Sequence, residues 1–425
     1  MKHITIHRTP GDKSITHRAI ILGSLAEGRT SISNYLASED CIATRTAFEA
    51  MGVKIRDTHA STIEIEGAGL PGLRKPEAAL DAQNSGTTMR LLSGVLAGQA
   101  FDSVLTGDQY LRKRPMKRVL VPLQSMGAEI EAEDGGTAPL TIRGGRTLTG
   151  IEYRLPVASA QVKSALLLAG LYAGGNTTVI EPVPTRDHTE RMLQGFGVKV
   201  VKADKKITIS GDNRLTGCDV TVPADFSSAA FWIVTGLLLP GLAITMKGIG
   251  INPTRTGLLT VLNRMGARIR FINERKESEE PVADLEIDSS NLTGTTVSGE
   301  IIPLLIDEIP ILALAAAFAK GTTVIKDAAE LRVKETDRIK AMTAELSKLG
   351  VEVEEKPDGM IIQGRGHLSR PSRPLENYGD HRIAMCLAVA GFCAFGDEHL
   401  VNCDCIDTSY PKADFFAVFD QLRSR

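Results

Sequence analysis

Hydrophobic and polar positions recur along this chain as one phrase. It appears as "TAFEAMGVKI" (46–55), "VPLQSMGAEI" (121–130), "RMLQGFGVKV" (191–200), "TVLNRMGARI" (260–269) and "AELSKLGVEV" (344–353). Each closes with a large apolar residue, glycine, a small apolar residue, any residue, then Ile or Val. Four residues before the glycines stand Phe48, Leu123, Leu193, Leu262 and Leu346, which is helical spacing on one buried face. Gly52, Gly127, Gly197, Gly266 and Gly350 are predicted to hold the left-handed position that ends each helix. The alternation beyond each glycine starts a strand. Upstream of each phrase runs a small-residue helix, a glycine and a Thr/Val/Ile strand, as in "LLAGLYAGGNTTVI" and "LAAAFAKGTTVI". Glycines at 28, 98, 175, 241, 321 and 396 count six helix–strand–helix–strand units, the last truncated.

Six units divide into two domains of three, and 425 residues are too many for one ordinary core. The boundary falls near "TVPADFSSAAF" (221–231), with a new helix from Asp225 or Ser227. The opening "MKHITIHRTP" alternates like a strand that must pair with one of the domains, so the chain crosses between them twice. The expected domains are 13–224, and 1–12 together with 225–425.

Composition narrows the function. Hydrophobic residues at 43% and charged residues at 24% describe an ordinary globular protein, and the net charge of −2 carries no footprint for nucleic acid or an anionic membrane. Six cysteines form no CxxC, and eight histidines give no HExxH or paired metal spacing, so no metal is expected. The start lacks the apolar core of a signal peptide, and "ILALAAAFA" is too short to span a bilayer. Reduced thiols and a cytoplasmic location are the expectation.

Seven clusters carry the candidate chemistry. "PGDKSITHR" (10–18) is not a nucleotide P-loop, because Asp12 precedes Lys13 where that motif needs glycine. Lys13 and Arg18 nevertheless flank Ser14 and Thr16, a set suited to another anion. "QNSGTTMR" (83–90) and "VASAQVKSALLLAG" (157–170) place Asn84, Gly86, Arg90, Ser159, Gln161 and Lys163 at the mouths of apolar helices. Exposed N–H groups there bind anions; an ordinary cap explains 83–90 equally well, while at 157–170 it explains the serine but not the whole polar set. "YLRKRPMKR" (110–118) reads as a solvated basic face, and "LRVKETDRIKAM" (331–342) as a surface helix laced with ion pairs. In "LIDEIPILALAAA" (305–317) and "NYGDHRIAMCLAVAG" (377–391), Asp307, Glu308, Asp380, His381 and Arg382 interrupt apolar context. Together Lys13, Arg18, Arg90, Arg114, Arg338 and Arg382 have the charge to surround two anions, with Asp307 and Glu335 for acid–base work.

As an ordered set across the whole chain, "PGDKSITHR", "NSGTTMR", "RPM", "SAQVKSALLLAG", "VKETDR" and "GDHRIAM" resemble the 5-enolpyruvylshikimate-3-phosphate synthase family. "SAQVKS", "TRDHTERM" and "LIDEIP" are similar to its second bacterial class. The resemblance implies a two-domain α/β fold, an inside-out α/β barrel, each domain three βαβαββ units about a pseudo-threefold axis. It places the active site in the cleft at the two crossovers. It also implies transfer of the enolpyruvyl group of phosphoenolpyruvate to the 5-hydroxyl of shikimate 3-phosphate, with no cofactor, in a monomer. Because the site residues divide between the two domains and like-charged cations repel across an empty cleft, an open form that closes on shikimate 3-phosphate is expected.

The resemblance further implies that Lys13, Ser14, Arg18, Ser159, Ala160, Gln161, Arg186, Asp307 and Lys334 bind shikimate 3-phosphate. Phosphoenolpyruvate would be held by Lys13, Gly86, Arg114, Gln161, Arg338 and Arg382, a site that the inhibitor glyphosate shares. Asp307 would take the hydroxyl proton, and Glu335 would protonate the enol methylene and later recover that proton; Lys13 completes the catalytic set. Two departures stand out. Thr408 replaces a lysine of the first class, with Lys412 nearby, and Glu330 replaces an asparagine. The sister transferase that acts on UDP-N-acetylglucosamine has asparagine after its first lysine and usually a cysteine in the loop before "RP"; here Ser14 follows Lys13 and 106–118 holds no cysteine. A clamp-like binding scaffold would explain the repeats but not a carboxylate pair among cations.

Overall fold

The computed structural model describes residues 2–7 and 9–423. The chain forms two compact units, one of Gly11–Val222 with Glu277–Glu280, the other of Met1–Pro10, Pro223–Lys276 and Pro281–Arg425. The cuts lie two residues before the expected ones. The tip of the hairpin formed by strands Arg268–Glu277 and Glu280–Asp288 clusters with the first unit, which corrects the expectation of an unbroken 225–425 domain. Residues 277–280 are "ESEE", a polar turn with no pattern to mark where it packs.

The first unit contains three four-stranded sheets of one topology. In the second of them Leu80–Asp81 runs parallel to Ser103–Thr106, which pairs antiparallel with Thr137–Arg143, and that strand with Glu129–Glu133. Helices Gly86–Leu96 and Lys117–Ser125 alternate with these strands, giving one βαβαββ unit. Glu152–Ser210 repeats the pattern. The repeat that begins at Lys13 takes its first strand, Asp219–Thr221, from the far end of the unit, parallel to Glu27–Ser33.

The second unit borrows in the same way: Lys2–Ile6 lies parallel to Leu242–Gly250 as its first strand. A second sheet is built on Thr296–Val297 and Lys320–Ile325. The expected third sheet is absent among the described residues, where helices His381–Phe395 and Lys412–Arg423 follow one another through a short 3-10 turn. Residues 397–411, "DEHLVNCDCIDTSYP", lack the alternation a strand needs. Aromatic packing closes the core instead. Phe415 and Phe419 lie 4.9 and 5.0 Å from Trp232 between ring centroids, and the Trp232 indole donates to the Tyr410 hydroxyl at 3.1 Å.

All five phrase glycines take positive φ, between 80° and 100°, and the five residues four positions earlier are buried. Each repeat therefore ends its outer helix in a left-handed turn that a side chain would strain. The inner helices are buried on nearly every side. In the first unit these are Lys13–Leu25, Gly86–Leu96 and Ala160–Gly170; in the second, Phe226–Leu238, Ile309–Phe318 and His381–Phe395. They approach closely: a Cβ on Gly94 would lie 2.2 Å from the Ala165 carbonyl oxygen. Among the described residues, no single helix is long and apolar enough to cross a membrane.

Candidate active site

Side-chain caps begin five of the six inner helices, and the candidate residues sit at those starts. In the first unit Asp12, Ser85 and Ser159 accept from Ile15, Thr88 and Val162 backbone N–H groups at 2.9, 3.2 and 3.4 Å. The three starts converge. Lys13 Nζ meets Asp40 Oδ2 at 2.9 Å, and the Thr88 hydroxyl donates to the Asp40 carbonyl at 3.3 Å. Arg90 Nη1 donates to Gln161 Oε1 at 2.5 Å, and Gln161 Nε2 to Thr87 Oγ1 at 3.0 Å. Three positive helix ends thus favour an anionic guest.

Arg18 is a buried cation whose hydrogen-bond acceptors are all neutral. Its Nε donates to Thr189 Oγ1 at 2.7 Å, Nη2 to Ser164 Oγ at 2.8 Å and Nη1 to the Ser14 carbonyl at 2.8 Å. Among the described residues it makes no ion pair. Burial pushes its pKa down to about 10, and the charge of Arg186 pushes the same way. Ser14, Ser159, Ala160 and Arg186 are half-buried in the same unit.

The basic run 110–118 divides in two. Arg112 and Lys113 are exposed, while Arg114 turns inward and donates from Nη2 to Asn84 Oδ1 at 3.0 Å. Asn84 in turn donates to Asp108 Oδ2 at 2.7 Å, and Asp108 also accepts from the backbone of Tyr110 and Leu111. A Cβ on Gly86 would stand 3.0 Å from Arg90 Nη1 and 3.2 Å from Arg114 Nη1. Two guanidinium groups therefore crowd the one position without a side chain.

In the second unit the segment 331–342 corrects the surface-helix expectation. Residues Ala329–Val333 form a 3-10 turn containing half-buried Glu330, Lys334 is extended, and Arg338 opens the helix Arg338–Lys348 at 1% exposure. Asp337 caps it, so Lys334 and Glu335 precede the helix instead of riding on it. Arg338 gathers three carboxylates: Asp380 at 2.7 Å through Nε, Glu335 at 2.8 Å through Nη2 and Asp307 at 3.5 Å through Nη1. These charges raise its pKa against the opposing effect of burial, which is the largest single influence. Lys334 Nζ stands 3.4 Å from Asp307 Oδ1, and Arg382 Nη1 donates to the Asp307 carbonyl at 3.1 Å.

Asp380 also caps His381–Phe395 by accepting from Arg382 N at 2.9 Å, so one carboxylate sets a helix start and an arginine together. Behind them, buried Glu308 accepts from the Ser227 hydroxyl and lies 3.6 Å from Arg382 Nη1, and Ser227 accepts from Arg255 at 2.6 Å. The structure thus brings Lys13, Ser14, Arg18, Gly86, Arg114, Ser159, Ala160, Gln161 and Arg186 into one unit, and Asp307, Lys334, Glu335, Arg338 and Arg382 into the other. Lys412 is taken up with Asp404, Nζ to Oδ1 at 2.5 Å, and Thr408 ends the 3-10 turn before it. Among the described residues no group of three His, Cys, Asp or Glu side chains is placed to hold a metal ion.

Sequence reasoning does not single out Asp40, Thr189 or Arg255, which the structure brings into these clusters. Only the cap pattern at each helix start gave a local signal.

Repeated α/β units with cations at buried helix starts define a protein built to hold small anions. The family model for EPSP synthase (3-phosphoshikimate 1-carboxyvinyltransferase) matches residues 4–418, and the chain belongs to that family. It is 53% identical over 403 residues to the 3-phosphoshikimate 1-carboxyvinyltransferase of Citrifermentans bemidjiense, covering 95% of this chain and 93% of that one. With the enzyme of the same name from Geobacter sulfurreducens it shares 52% over 417 residues, covering 98% and 96%. A solved EPSP synthase from Acinetobacter baumannii superimposes with a TM-score of 0.86 at 43% identity, over 99% of this chain and 96% of that one.

Proposed function

We propose that this chain transfers the enolpyruvyl group of phosphoenolpyruvate to the 5-hydroxyl of shikimate 3-phosphate and releases inorganic phosphate. The observation that carries this reading is the sharing of Arg338 by Glu335 and Asp307, which puts two carboxylates on one buried guanidinium. Family membership supports the choice of substrates.

In this reading Lys13, Ser14, Arg18, Ser159, Ala160, Gln161, Arg186, Asp307 and Lys334 hold shikimate 3-phosphate. Lys13, Gly86, Arg114, Gln161, Arg338 and Arg382 hold phosphoenolpyruvate, forked guanidinium groups suiting its carboxylate and phosphate. Asp307 takes the proton of the 5-hydroxyl as its oxygen attacks C2, while Glu335 delivers a proton to C3. The product of this step is a tetrahedral adduct. Glu335 then recovers a proton from C3 as the C2–phosphate oxygen bond breaks. Lys13 offsets the negative charge of both substrates. Glyphosate would compete for the phosphoenolpyruvate residues.

The test is phosphate release from phosphoenolpyruvate with shikimate 3-phosphate or UDP-N-acetylglucosamine as acceptor. Release with the first alone is expected. Release only with the second would overturn the assignment.

A further inference from the structure

Beneath Arg18 lies a charge cluster that the proposed chemistry does not use. Lys163 is fully buried, yet it is charged, with Nζ 2.7 Å from Glu190 Oε1 and 3.0 Å from Glu181 Oε1. A lone buried ammonium is strongly disfavoured, so both carboxylates are needed to hold it. Glu181 also accepts from the backbone N–H and hydroxyl of Thr185, just before Arg186.

The geometry sets two cross-links side by side. Arg18 donates to the hydroxyls of Ser164 and Thr189. Lys163, one residue before Ser164, pairs with Glu190, one residue after Thr189. Glu190 is also the carboxylate whose charge bears most on Arg18. Its second oxygen, Oε2, is buried with no hydrogen-bond partner among the described residues. A buried carboxylate that loses its partner is left with an uncompensated charge, and Arg18 and Arg191 are cations that feel the charge of Glu190.

We infer that Lys163 is a positioning residue for substrate binding: by holding Glu190, it keeps that carboxylate off Arg18 and leaves the guanidinium to an incoming anion. The inference rests on the reading of Arg18 as a shikimate 3-phosphate ligand. It assigns the lysine of "SAQVKS" a role distinct from packing, because removing a competitor differs from supplying a contact.

The test is calorimetric titration of shikimate 3-phosphate into the wild type, Lys163→Met, Glu190→Gln and the double variant, each with its melting temperature. Lys163→Met is expected to weaken binding about tenfold or more, since Glu190 then competes for Arg18. Glu190→Gln leaves affinity within about threefold, because Lys163 retains Glu181 and Arg18 loses no partner. Adding Glu190→Gln to Lys163→Met restores affinity to within about threefold of the wild type. A merely structural role predicts that the double variant binds no better than Lys163→Met, and that result would overturn the inference. If Lys163→Met does not fold, the other two decide: a tenfold loss in Glu190→Gln, or in the double variant, overturns it. A wild type that fails to bind shikimate 3-phosphate at all would instead overturn the functional reading beneath it.

Discussion

Arg338 and Asp380 form a two-point pair, Nε to Oδ2 at 2.7 Å and Nη2 to Oδ1 at 3.2 Å, with both side chains buried. Asp380 Oδ1 simultaneously accepts from the backbone of Arg382. One carboxylate therefore fixes both arginines proposed for phosphoenolpyruvate in this unit.

Asp380→Asn keeps the cap but removes the charge, leaving Arg338 to Glu335 and Asp307. Breaking a buried pair from one side costs about 3 kcal/mol or more. The expected outcome is a clear loss of stability in denaturant, with KM for phosphoenolpyruvate raised about tenfold or more. Wild-type KM in the folded variant would show that the pair does not position the site.

Asp307→Ala tests proton transfer. Its carboxylate faces Lys334 and Arg338, and its carbonyl faces Arg382. Turnover should fall about 10²-fold or more while phosphoenolpyruvate binding largely survives. Steady-state rates above a tenth of wild type would remove Asp307 from its role.

Gly86→Ala places a methyl against Arg90 and Arg114, at 3.0 and 3.2 Å from their nearest nitrogens. Both neighbours are ends of flexible side chains, so the helix tolerates the change while the guanidinium groups shift. We expect glyphosate to inhibit the wild type competitively against phosphoenolpyruvate, and Gly86→Ala to weaken inhibition more than substrate binding. Superimposable inhibition curves at matched saturation would show that Gly86 is not the discriminating position.

His17 gives a pH signature. It is buried, with Nδ1 2.7 Å from Thr44 Oγ1, and burial foremost, then the charges of Lys13 and Arg18, hold its pKa well below 6.5. The unfolded chain takes up the proton near pH 6.5 and the folded chain does not, so stability is lost as pH falls below that value. The slope is at most about 1.4 kcal/mol per pH unit for this one proton. Denaturant titrations from pH 7.5 to 5 should give a shallower decline for His17→Gln than for wild type. Equal slopes would assign the acid sensitivity elsewhere.

The repeats were legible because each one ends on a glycine that only a left-handed turn explains, and all five take positive φ. The helix starts were legible for a similar reason: a short polar residue before an apolar run is a local signal. Partners were not. Arg18 finds Thr189 at a separation of 171 residues, and Arg338 finds Asp380 across 42. No periodicity encodes such pairings. The i, i+3 and i, i+4 spacing that suits ion pairs predicts a helix through Lys334 and Glu335, whereas the helix starts after Asp337, whose cap is the stronger signal. The sixth sheet, absent among the described residues, is foreshadowed in the sequence by the truncation of the sixth unit after Gly396.

The most direct test follows phosphorus by NMR as the protein acts on equimolar phosphoenolpyruvate and shikimate 3-phosphate. The account predicts that phosphoenolpyruvate disappears as inorganic phosphate and one new phosphomonoester appear in equal amounts. Phosphate without the new phosphomonoester, or no consumption of shikimate 3-phosphate, would contradict it.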